Sequence, residues 1–310
     1  MHNSDAAQTE LSSDRPSWLV YFEERIEEER DELFSEAPYH EIVRDLLLAP
    51  NDDDKAVGEA ITKFYDLYAA RVRNEKKDPP EYGAGHKLNT ISIVAFEAVV
   101  KVWYTSTEHQ KLADFLIGIK KGAAEEFDEE NLRFVYIGWG LEAAAQEQWN
   151  AGYVDTWTAK NSDEPENVWA GAWLSASALI AKLFQGGCLE NDGHHWITKD
   201  LERTFEISTK GDIKTDSGRQ CQVLSATNYI LLAGETFVKG AKSPLPKWKF
   251  ELNTTKWKLW ASKIKEVADT VEDTARWDLK ERAKQAYKKM VELYPEAFPS
   301  DENTEDQRSS

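Results

Sequence analysis

Three groups of residues carry types whose spacing could do chemistry. The first is Cys188, Asn191, Asp192, His194 and His195, between the double glycine Gly186-Gly187 and Trp196. Metal ligation would need thiolate and imidazole groups converging on one ion, with hydrogen-bonded partners behind them. Neighbouring positions on a helix point about 100° apart, so His194 and His195 do not share an ion there. The cluster reads instead as a solvated loop in which His195 or Asp192 caps the next helix. Neither a metal nor a cofactor is expected. The second group is Asn51-Asp52-Asp53-Asp54. Magnesium held against a diphosphate on a helix needs carboxylates at i, i+1 and i+4. Lys55, Ala56 and Val57 follow the triplet, so it reads as a helix cap.

The third group runs from Lys239 to Lys265, where eight lysines face the single Glu251. That is +7 locally, which leaves -25 for the rest of a chain whose net charge is -18. Trp248, Phe250, Trp257 and Trp260 are interleaved, as they are in grooves that bind single-stranded nucleic acid. Helical spacing gives a simpler account. Trp257, Trp260, Ile264, Val267 and Val271 form a core stripe, leaving Lys256, Lys258, Lys263 and Lys265 on the solvent face or docked on the acidic N-terminal helix. With Lys247 and Lys249 they make a candidate contact strip for other macromolecules.

Signatures with a known mechanism are otherwise absent. No G-x-G-x-x-G follows a strand, and there is no Walker-type loop, G-x-S-x-G elbow or H-E-x-x-H pair. Two cysteines, Cys188 and Cys221, are too few for a disulfide framework and read as reduced, buried small hydrophobes. Asn253-Thr254-Thr255 matches a glycosylation acceptor by chance.

The elements that must position these residues read as helices. Trp18, Phe22, Ile26 and Leu33 recur at helical spacing among glutamates, with Pro16 opening the helix and Pro38 ending it. A short helix follows from Tyr39 to Leu48, then one carrying Val57, Ile61, Phe64 and Tyr68. Glu75 to Lys87, with its proline pair and Gly83-Ala84-Gly85, reads as a loop. Leu88 to Tyr104 and His109 to Lys121 are helical, although Ile91 to Val102 is rich in β-branched residues. Glu130 to Ala151 and Glu166 to Gln185, alanine-rich with tryptophans at turn spacing, form the expected centre of the core, and Asp163 with Glu166 suggests a capping box. A helix from His195 to Ile207, a loop from Lys210 to Ser217, a helix from Ser217 to Val238 with Ser217 as cap, and helices from Thr254 to Val271 and Trp277 to Tyr294 complete the pass. About ten helices and no strand predict an all-α fold, a single domain over 16–298 between disordered tails 1–15 and 299–310, arranged as one large bundle or a stack of α-hairpins.

Composition bounds the function. The charge makes nucleic acid and anionic membrane unfavourable partners and other proteins the expected ones. No apolar run approaches the ~20 residues of a membrane span and no secretory leader opens the chain, which predicts an intracellular protein, cytoplasmic or nuclear. Twelve tryptophans leave room for an apolar pocket, with Trp139 and Trp173 as candidate walls and His194 or His195 as its polar handle.

The runs "KWKLWASKIKEVADT" and "KERAKQAYKKMVELYPEAF" between Lys256 and Phe298 resemble the end of a fungal family, domain-of-unknown-function family 3632. "GWGLEAAA" around Trp139 and "WAGAWLSASALI" from Trp169 are similar to its tryptophan- and alanine-rich middle. The resemblance implies a helical fold and a fungal source, and it carries no activity or catalytic residue. Two functions are therefore weighed: a non-enzymatic protein that contacts other macromolecules, and an enzyme or carrier for an apolar metabolite in a tryptophan-lined pocket.

Overall fold

The structure, a computed structural model, describes residues 15–33, 35–74, 83–126, 137–151, 163–243 and 252–298, with side chains placed except at 68–74, 83–86, 123–126, 137–139, 151 and 190–192. The expected tails fall outside these residues, apart from Arg15. Eleven α-helices and no strand occur among them, so the all-α class holds. The chain clusters into two compact units, 1–144 and 145–310, where the sequence reading has one domain over 16–298.

The first unit contains α1 (Ser17–Glu29), α2 (Ala37–Leu48), α3 (Ala56–Asn74), α4 (Gly83–Val99), α5 (Thr107–Glu126) and the start of α6 (Ile137–Ala151). Trp18, Phe22 and Ile26 make the buried stripe of α1, four residues apart, and α2 meets it and also α3, α4 and α5. Leu33 belongs to no helix: α1 stops at Glu29, and Leu33 is 87% exposed. Pro38 does not end α1 but sits in the first turn of α2, where its missing N–H is no loss. Gly83-Ala84-Gly85 likewise belongs to the first turn of α4 rather than to a loop. The β-branched run is helical only as far as Val99, where α4 ends short of the expected Tyr104, and it is buried there: Ile91, Val94 and Val99 are at most 1% exposed. On α5, Gly118 and Gly122 face Ile61 and Tyr65, and the Tyr65 hydroxyl donates to the Ile119 carbonyl at 2.5 Å.

The second unit holds the end of α6, then α7 (Glu166–Gln185), α8 (Glu190–Glu202) with a π turn (Arg203–Ile207), α9 (Ser217–Lys242), α10 (Thr254–Thr270) and α11 (Leu279–Leu293). Its organising helix is α9, which packs most extensively on α7 and α11 and also meets α8 and α10. Sequence reading centred the core on α6 with α7. Nineteen buried residues explain the difference: from Gly218 to Ile230 α9 is covered all round, while Glu235, Lys239 and Lys242 mark a wetted edge on its C-terminal half. Trp257 and Trp260 are fully buried on α10, with Ile264, Val267 and Val271 continuing the stripe. Their indoles find partners, Trp257 Nε1 at the Met290 carbonyl (3.2 Å) and Trp260 Nε1 at Glu206 Oε1 (2.8 Å).

Several caps move by a residue or more. Asp216, not Ser217, caps α9, its carboxylate accepting from the Arg219 N–H at 3.0 Å. Pro165 occupies the cap of α7 without a side-chain bond, so the Asp163 capping box does not form. Asn253, dismissed above as a chance acceptor site, caps α10 by accepting from the Lys256 N–H at 3.0 Å. Trp277 and Asp278 adopt left-handed φ of 57°, which delays α11 to Leu279.

Candidate functional site

A narrow cleft opens in the second unit; its space between atoms is about 480 Å³ with the open solvent at its entrance included, and the centre of a water-sized sphere can reach only about 30 Å³ of it. Helical periodicity builds its walls. Trp173, Ala176, Ser177 and Ile180 of α7 lie at i, i+3, i+4 and i+7, and Gln222, Ser225, Ala226 and Tyr229 of α9 repeat the same spacing opposite them. Small residues on both faces leave the gap. Gln148 and Trp149 come from the end of α6, Asp200 from α8, and Arg203 and Thr204 from the π turn. A π turn offsets the side chains that follow it from the α-helical register. Here Arg203 and Thr204, on the turn itself, join Asp200 at the same opening.

Asp200 organises the interior. Its Oδ2 accepts from the Trp149 indole at 3.0 Å and from the Tyr229 hydroxyl at 2.9 Å, while Oδ1 lies 3.6 Å from Arg203 Nη1. Only 18% of the side chain is exposed. Burial pushes its carboxyl up to about 6, against the opposing pull of the two hydrogen bonds and of Arg203 and Lys199. The same burial, with the Asp200 charge beside it, drives the Tyr229 phenol well above its ordinary value. Trp149 is also held through its ring: it stacks on Trp196 (centroids 5.6 Å apart), and the Lys199 ammonium lies 5.0 Å from its ring.

Other polar atoms at the wall are less engaged. Gln222 accepts from Arg219 at 2.5 Å through Oε1, and its amide nitrogen makes no hydrogen bond among the described residues. The Thr204 and Ser225 hydroxyls likewise make none, although these residues are only 2% and 4% exposed. None of these atoms is sealed from the cleft, where water or a ligand can supply a partner.

Of the described residues singled out by sequence, Trp173 lines the cleft and the others do not. His194 and His195 sit on α8, which starts at Glu190, so the segment is helix and not the expected loop. His194 packs edge-on to Phe184 (4.7 Å) and stacks with Phe237 (5.9 Å), and Gly240 admits it closely. Burial, helped by Lys239, lowers its imidazole to about 4, which keeps it neutral in the core. The Trp139 side chain, Lys247 and Lys249 lie outside the described residues. Lys256 pairs with Glu202 and Glu206, Lys263 with Glu266 (2.8 Å) and Lys265 with Asp269 (2.5 Å), while Lys258 is exposed. Sequence reading missed Asp200. The available signal was an acid placed four residues after Trp196, beside Ile197 and Leu201, on a stripe that is otherwise buried.

No family, curated protein or solved structure matches the chain. Among the described residues no three His, Cys, Asp or Glu side chains gather to hold a metal, and no helix is long and apolar enough to cross a membrane.

Proposed function

We propose that the second unit is a small-molecule binding module, with the Asp200 cleft as its site. The observation that carries this reading is a largely buried carboxyl, fixed by two donors, in a cleft lined by further polar side chains, Gln222, Thr204 and Ser225. Ligand sites combine apolar surface with a few placed polar groups in this way. The lining is more polar than a pocket for an apolar metabolite requires, so the ligand is partly polar and flat enough to pass between α7 and α9. No bond-making step is assigned to it.

The other reading, a protein that contacts macromolecules, rests on the net charge of -18. Three lysines of its candidate strip are engaged within the chain, which weakens its support. The resemblance to the fungal family adds no activity to either reading.

The test uses the full chain with ¹⁵N-labelled indoles and a library of planar polar fragments. Binders are expected to shift the Trp149 and Trp173 signals while leaving those of Trp257 and Trp260 in place. Gln148→Trp, which fills the mouth, should abolish the shifts. Fragments that move no indole, or that bind the plugged variant equally well, contradict the proposal.

A further inference from the structure

The hydrogen-bonding capacity still open in the cleft is unequal. Asp200 Oδ2 already takes two donors, and its Oδ1 faces Arg203. Gln222 lines the opening with its carbonyl oxygen engaged by Arg219, which leaves its N–H₂ to donate. The Trp173 indole N–H has no partner among the described residues and can only donate. The Thr204 and Ser225 hydroxyls can do either. A ligand there is therefore asked mainly for acceptors.

Charge agrees with that count. Arg203 lines the cleft, Lys199 lies over the Trp149 ring behind it, and Arg219, 8% exposed, stands behind Gln222. Among the described lining residues the carboxylate is Asp200, Tyr229 holds its proton, and Asp216 lies close to Arg219 behind the wall. An ammonium ligand would meet Arg203 and find the better Asp200 oxygen already taken. A carboxylate would meet guanidinium, amide and hydroxyl donors, which bind anions most strongly when charge assists. The Trp173 face and the Ile180 and Ala226 side chains suit a flat ring beside it.

Resting on the reading of the cleft as a ligand site, we infer that its ligand class is a small aromatic carboxylate, its anionic end held by Arg203 and the Gln222 amide and its ring laid against Trp173. The anion completes the polar wall that the chain leaves short of acceptors.

The experiment titrates the full, indole-labelled chain with benzoate, benzamide and benzylamine at pH 7.5, probes of one shape and three charges. Benzoate should bind at least about tenfold more tightly than benzylamine, a difference of about 1.4 kcal/mol. Arg203→Gln should weaken benzoate by a similar factor and benzamide, which lacks the charge, by less. Thr204→Val, nearly isosteric, should weaken benzoate more mildly and serves if the arginine variant does not fold. If benzylamine or benzamide binds as tightly as benzoate while Gln148→Trp still blocks it, the ligand class is wrong and the cleft reading stands. If none of the three moves the Trp149 and Trp173 signals, or all bind the plugged variant, both fall.

Discussion

Asp200 and His40 are buried titratable groups whose effects on stability run in opposite directions. The folded Asp200 carboxyl rises from 3.8 to about 6, so its contribution is fully present below the unfolded value and is lost as pH climbs through about 6. Relative to Asp200→Asn, which keeps an acceptor for Trp149 and Tyr229, the native chain should lose on the order of 2 to 3 kcal/mol between pH 4 and pH 7. Urea midpoints of both proteins across that range measure it. His40 in α2 is 1% exposed, lies beside Phe22 and Tyr21, and has no partner for either ring nitrogen among the described residues. Burial lowers its imidazole despite the nearby Glu97 and Glu29. Its contribution is therefore full above 6.5 and lost as pH falls below it, because only the unfolded chain then takes the proton. His40→Leu should be more stable than the native chain at pH 5.5, with a smaller advantage at pH 7.5, in matched thermal melts.

At the scale of elements, the decisive choices are local and close in chemistry. Asp216→Ala should destabilise the fold by about 1 kcal/mol through loss of the α9 cap, while Ser217→Ala should change it by only a few tenths. Denaturant unfolding that ranks the two the other way would restore Ser217 as the cap. Adjacent Asp and Ser are both good caps, so sequence could not choose between them, and Pro38 suits a helix start as well as a helix end. By contrast, the stripe Trp257, Trp260, Ile264, Val267 and Val271 was legible because one helix period decides burial without reference to any partner. The site was not legible in the same way. Asp200 meets Trp149 and Tyr229 from 51 and 29 residues away, and the π turn that presents Arg203 and Thr204 has no signature in residue type. Only Trp173 was found in advance, because its place on an apolar helix face also places it on the cleft wall.

At the scale of the whole molecule, the -18 charge acts against compactness, since 56 acidic residues stand against 38 lysines and arginines. Added salt screens that repulsion: the Debye length falls from about 10 Å at 0.1 M to about 3 Å at 1 M. The melting temperature should therefore rise between 0.05 and 0.5 M sodium chloride. A fall would mean that the ion pairs, Lys256 with Glu202 and Glu206 foremost, outweigh the net repulsion. The functional account depends less on this field than on one sheltered carboxyl at the back of a preformed opening. Following the Trp149 indole ¹⁵N–¹H signal against pH tests that claim most directly, because its donor rests on Asp200. The account predicts a titration with a midpoint near 6 that vanishes in Asp200→Asn. A midpoint near the ordinary aspartate value, or a signal indifferent to the substitution, would show a hydrated carboxylate and contradict it.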